Sequence, residues 1–163
     1  MRETIAAHLR TRNVARVIYG SIIGLAVVLA FERHPPEAGT VVAALLGTAL
    51  AVALAEIYSD VIGTEIRTHG RISREHFSEL LEDAALVAFG IGFPVVFFVL
   101  AAAGAIELDS AFDLARWTGL FLIAFYGFCA ARLAGGTVHG SLVRALAVGL
   151  IGAFVIALHA ITH

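Results

Sequence analysis

Glu56 and Asp60 sit where a long apolar run would otherwise continue, since the residues from Ala38 to Ala55 carry no charge. Spaced by four, the two acids share one helical face with Thr48, Val52 and Thr64. A carboxylate at such a position is a candidate cation ligand or proton carrier. It reads equally as a protonated acid hydrogen-bonded to a neighbouring helix, with Asp60 no more than an interfacial charge. Tyr19 is a hydroxyl that can line a pathway or simply pack.

A second group of acids follows in ISREHFSELLEDAALVAFG. Ser73 has the side chain of an N-cap, and the helix it starts places Glu75, Glu79, Glu82 and Asp83 on one side. Phe77, Leu80, Leu81 and Ala84 fall on the other, so the segment is amphipathic. Carboxylate oxygens suit divalent cations, and His69 and His76 would add affinity for transition metals. The plain alternative is a solvated acidic face. Further on, Gly90, Gly92 and Pro94 interrupt an apolar helix and leave carbonyls free, serving a pathway or packing alone. The candidate ion pathway is therefore Glu56, Asp60, Tyr19 and Pro94. The candidate metal ligands are Glu56, Asp60, Glu75, Glu79, Glu82 and Asp83.

Other chemistry is sparse. The single Cys129 excludes an intramolecular disulfide, and His159 is the one histidine clearly inside an apolar segment, so paired haem ligation has no basis. No nucleotide-binding loop, nucleophile motif or thiolate cluster occurs, and no acid, base and nucleophile can be assembled into an enzyme site. Neither an organic cofactor nor nucleic acid is called for.

The elements that must hold these residues are membrane helices. Hydrophobic residues make up 60% of the 163 and mean hydropathy is +0.90, far above the soluble norm. Five segments reach the length of a bilayer span: Val14 to Phe31, Thr40 to Ile62, Ala84 to Ile106, Leu114 to Leu133 and Leu142 to Ile161. The expectation is an all-α bundle of five spans forming a single membrane domain over residues 1–163, with an acidic helix over about 74–83 leading into the third. The first segment ends in Phe31, Glu32, Arg33 and two prolines rather than in a small-residue cleavage site, and reads as a retained helix.

All eleven basic side chains are arginine. Arg2, Arg10, Arg12, Arg16, Arg67, Arg71, Arg74, Arg132 and Arg144 fall on one side of the expected membrane, with only Arg33 and Arg116 on the other. That asymmetry predicts a cytoplasmic N-terminus and an external C-terminus. Alanine abundance without lysine points to a GC-rich bacterial genome and a plasma-membrane location. Small residues recur every four positions at Gly47, Ala51, Ala55, Ser59 and Gly63, at Gly20 and Gly24, and at Ala145, Gly149, Ala153 and Ala157. Such ridges let helices approach closely, within one bundle or across a dimer.

Five spans, a cytoplasmic N-terminus, an acid in the second helix and an acidic segment before the third resemble the vacuolar iron transporter family of Fe/Mn carriers. Ala55-Glu56-Ile57-Tyr58-Ser59 is similar to that family's Gly-Glu-Tyr-x-Ser, with the Tyr displaced by one. The closing ARLAGGTVHGSLVRALAVGLIGAFVIALHAI resembles its last pair of helices. The resemblance implies a homodimer that exports divalent metal ions such as iron or manganese from the cytosol. It carries Glu56 and Ser59 over by position, which adds Ser59 to the candidate ion pathway, and on this reading protonation of Glu56 couples metal movement to protons. Three features depart from the family: Tyr19-Gly20 stands in place of an Asp-Gly pair in the first helix, the second helix lacks methionine, and the cytoplasmic insert is shortened to one acidic helix. A proton or monovalent-cation channel would use the same acids, and a non-transporting scaffold or accessory subunit would use the small-residue ridges.

Overall fold

The structure is a computed structural model that describes the backbone of residues 2–133 and the side chains of residues 13–133. The expected span 142–161 lies outside the described residues, as do Gly135, Gly136, Arg144 and His159. Among the described residues there are five helices and no strand: α1 (Arg2–Glu32), α2 (Ala38–Thr68), α3 (Arg74–Gly92), α4 (Val95–Ala102) and α5 (Leu108–Leu133).

Among the described residues, three stretches are long and apolar enough to cross a membrane: Asn13–Glu32, Ala38–Thr68 and Leu108–Arg132. They make the chain a multi-pass membrane protein by length and composition. The third expected span is not one helix. α3 and α4 meet at a 47° bend and together have the apolar length of one broken crossing. The cause is Pro94, which has no N–H to give to the carbonyl of Gly90. The chain resumes as α4 with Pro94 at its N-cap position. The acidic segment forms the first half of α3, which runs unbroken from Arg74 into its apolar half.

Local signals set the other ends. α1 stops at Glu32, just ahead of the Pro35-Pro36 pair, and α2 begins two residues beyond it. α2 ends with His69 in the left-handed conformation, followed by Gly70. Ser73 caps α3, its hydroxyl accepting the His76 N–H at 3.2 Å. At 31 residues each, α1 and α2 are about 46 Å long, more than the hydrocarbon thickness, so their ends project into the interfaces.

α1 packs along both α3 and α5, α2 packs along α3 and α4, and α4 closes against α5. The α1–α3 crossing depends on glycine. A Cβ on Gly20 would lie 2.2 Å from the Val87 carbonyl oxygen, and one on Gly90 would lie 2.6 Å from that of Val17. Gly24 meets Ile91 in the same way. The two helices are parallel and in register, so the row Arg16, Gly20, Gly24 runs against Asp83, Val87 and Ile91.

The small residues of α2 behave differently. Gly47, Ala51, Ala55 and Ser59 are exposed among the described residues, and a Cβ on Gly47 or Gly63 would meet nothing within 4 Å. The intramolecular contact of α2 is made instead by larger side chains, Val41, Leu45 and Ala49, with Val52 against Val87 and Ile91. The row that carries Glu56 and Asp60 is therefore the inner face of α2, and the small-residue ridge looks outward.

The apolar core fills the end of the bundle away from these acids. Val28, Val41, Leu45, Phe98, Ala111, Phe112 and Ala115 form its largest cluster. Phe98 meets Phe112 edge-on at 4.9 Å between ring centroids, one of the favourable aromatic geometries. Leu25, Leu29 and Ile123 extend the core along α1 and α5. At that end Arg116 of α5 pairs with Glu32 of α1 and with Asp113 one turn earlier.

Candidate functional site

Arg16 organises the opposite end. Its guanidinium donates to Glu56 at 2.7 Å through one terminal nitrogen. The other lies 3.4 Å from Asp60 and 3.1 Å from Asp83. One planar fork thus ties α1 to α2 and to α3, using the rigid spread of donors that lysine lacks. Side-chain exposure falls from 43% at Asp60 and 22% at Glu56 to 8% at Asp83. Arg16 itself is 18% exposed. Glu56 lies twelve residues before the end of α2, about 18 Å along the axis. Charges this far into an apolar helix persist in a membrane when they pair, since an isolated one costs several kcal/mol.

An open cavity of about 390 Å³ faces this network, lined by Arg16, Tyr19, Val52, Ala55, Glu56, Ser59 and Asp60. Two carboxylates, two hydroxyls and one guanidinium therefore share a single polar recess between α1 and α2. Glu56, Ser59, Asp60 and Tyr19, singled out in the sequence, are brought together here. Pro94 is not; it is buried at the α3–α4 bend, outside the lining. Tyr58, the tyrosine of the family-like motif, is exposed and also outside the lining.

The acids of α3 divide. Glu75, Glu79 and Glu82 are exposed, as expected of a solvated face. Asp83 does not belong with them; it is buried and turned towards α1. Its position follows the 3.6-residue period rather than a strict spacing of four. With Leu80, Ala84, Val87 and Ile91 it forms the i, i+3, i+4, i+7 stripe that packs inward. Among the described residues no group of three His, Cys, Asp or Glu side chains is arranged to hold a metal ion. His76 instead contacts Glu79 at 3.2 Å and Thr64 at 3.5 Å, and His69 is exposed at the α2 terminus.

Arg16 is the residue that sequence reasoning misplaced, as one of several arginines flanking the first span. Its signal is its register: Arg16 precedes Gly20 and Gly24 by four and eight residues, on the row that packs against α3. A charge on the row of closest helix approach has to meet partners there. Comparisons of the chain with protein-family models, with curated proteins and with solved structures give no match.

Proposed function

We propose that this protein transports a cation across the membrane through the recess between α1 and α2, with a divalent ion of the Fe2+/Mn2+ class as its substrate. The observation that carries this reading is the pairing of Glu56 and Asp60, one helical turn apart at membrane depth, beside the hydroxyls of Tyr19 and Ser59 in one cavity. Carboxylate and hydroxyl oxygens are the donors such cations take. Arg16 holds the place of the ion as a tethered positive charge, neutralising the acids while no substrate is bound. An arriving cation competes with the guanidinium for the same oxygens, so loading and release are exchanges of one positive charge for another. A proton on Glu56 is the alternative occupant, and its exchange for metal couples the two movements.

In this reading the N-terminus is cytoplasmic, the chain crosses five times, and the fifth crossing is residues 142–161. Arg67, Arg71 and Arg74 then mark the cytoplasmic turn, where the exposed Glu75, Glu79 and Glu82 raise the local cation concentration before entry. Export from the cytosol of a bacterial cell is the direction we assign. The functional unit is a homodimer that uses the outward ridge of α2, and Gly47→Leu is expected to convert it to monomers by intact-protein cross-linking in lipid.

A second reading has its own observation: Arg16 pairs with carboxylates on two other helices, which is also what a clamp in a non-transporting scaffold would do. Flux through proteoliposomes separates the readings. Transport predicts Mn2+ uptake that responds to a proton gradient; current without divalent metal indicates a proton or monovalent-cation channel; no flux of any ion indicates the scaffold.

A further inference from the structure

Resting on the cation-transport reading, we propose that Asp83 is the anchor that makes the site loadable: it keeps hold of the Arg16 guanidinium when a cation takes Glu56 and Asp60. The three carboxylates around Arg16 are not equivalent. Glu56 and Asp60 line the cavity, whereas Asp83, on α3, is absent from the lining. It is also the most buried of the three. A cation entering from the cavity meets Glu56 and Asp60 first and contests their bonds to Arg16. The nitrogen that bonds Glu56 is released by this exchange, while the other keeps Asp83 at 3.1 Å.

Without that third partner, displacement would strand an unpaired guanidinium in a low-dielectric setting, a strongly disfavoured state. With it, the guanidinium rotates towards α3 and stays paired. Arg16 therefore has two stations on one pivot. Asp83 is a positioning residue that sets cation affinity through Arg16, and it touches no substrate.

The test is Mn2+ binding to the full-length protein in lipid nanodiscs, measured by electron paramagnetic resonance for four proteins: wild type, Asp83→Asn, Arg16→Gln and the double variant. Asp83→Asn leaves the guanidinium no charged station but Glu56 and Asp60, and is expected to weaken Mn2+ binding by about 10-fold or more, the range of outer-shell partners. Arg16→Gln removes the competitor and is expected to tighten binding. In the Arg16→Gln background, Asp83→Asn is expected to change nothing, since there is no guanidinium left to anchor. Equal weakening in both backgrounds would make Asp83 a ligand or a structural residue and overturn the proposal. No effect in either background would overturn it as well. If wild type and Arg16→Gln both bind no Mn2+, the transport reading itself fails. Should Arg16→Gln not fold, Arg16→Lys replaces it, because a single ammonium cannot span both stations and the dependence on Asp83 is again expected to shrink.

Discussion

At the scale of single residues, the centre of this molecule is one arginine. Arg16 and Arg116 each pair with two or more acids, yet their surroundings differ. Arg16 faces Asp83, which is buried, whereas the partners of Arg116 include the exposed Asp113. Removing one member of a buried pair leaves an uncompensated charge and costs about 3 kcal/mol or more, while exposed pairs contribute up to about 1 kcal/mol. Arg16→Gln is accordingly expected to lower the thermal unfolding midpoint in detergent far more than Arg116→Gln. Equal shifts would show that the Arg16 network is not a structural keystone. The acids of α2 were readable in the sequence because they interrupt an uncharged run. Arg16 and Asp83 were harder to place, since each resembles its sequence neighbours: one more arginine before a span, one more acid after Glu75, Glu79 and Glu82. What distinguishes them is helical phase relative to glycines and apolar residues that only a packed pair of helices makes visible.

At the scale of elements, the α1–α3 crossing brings Arg16 and Asp83 together, and three glycines permit it. Gly90→Ala sets a Cβ 2.6 Å from the Val17 carbonyl oxygen and 2.7 Å from the Ser21 nitrogen, both backbone atoms that cannot step aside alone. Overpacking of this kind costs about 1–3 kcal/mol. At Gly47, where the described residues offer open space, the same substitution gains helix propensity worth up to about 1 kcal/mol. Gly90→Ala is expected to destabilise and Gly47→Ala to be neutral or mildly stabilising, by unfolding of the monomer in the same detergent. The reverse order would contradict the packing described. Helix existence was evident from the apolar runs, and the break at Pro94 from proline chemistry. Which small-residue ridge serves the bundle was not. Periodicity marks a close-packing face without naming its partner, and among the described residues it is α1, not α2, that uses its ridge internally.

At the scale of the whole molecule, polar and apolar ends are segregated. The Phe98 and Phe112 cluster closes one end, and the Arg16 network with its cavity opens near the other, beside the turn that carries Arg67, Arg71 and Arg74. The topology we propose puts that turn in the cytoplasm. In a Cys129→Ser background, a cysteine at Arg71 is expected to react with a membrane-impermeant maleimide only from the cytoplasmic side, and one at Asp109 only from outside. The opposite pattern would invert the direction of transport along with the topology. The membrane itself was legible from composition, because no soluble fold of this size accommodates so much apolar sequence. Function rests on a narrower base, the recess where Glu56 and Asp60 meet a tethered cation.

Mn2+ uptake into proteoliposomes by the wild-type protein and by Glu56→Gln tests that base most directly. Glutamine keeps the size of the side chain and a hydrogen-bond acceptor for Arg16, but it cannot offer a full negative charge to a metal ion. The account predicts wild-type uptake that depends on a proton gradient and falls by about 10-fold or more in a folded Glu56→Gln protein. A folded Glu56→Gln protein that moves Mn2+ at the wild-type rate would contradict it.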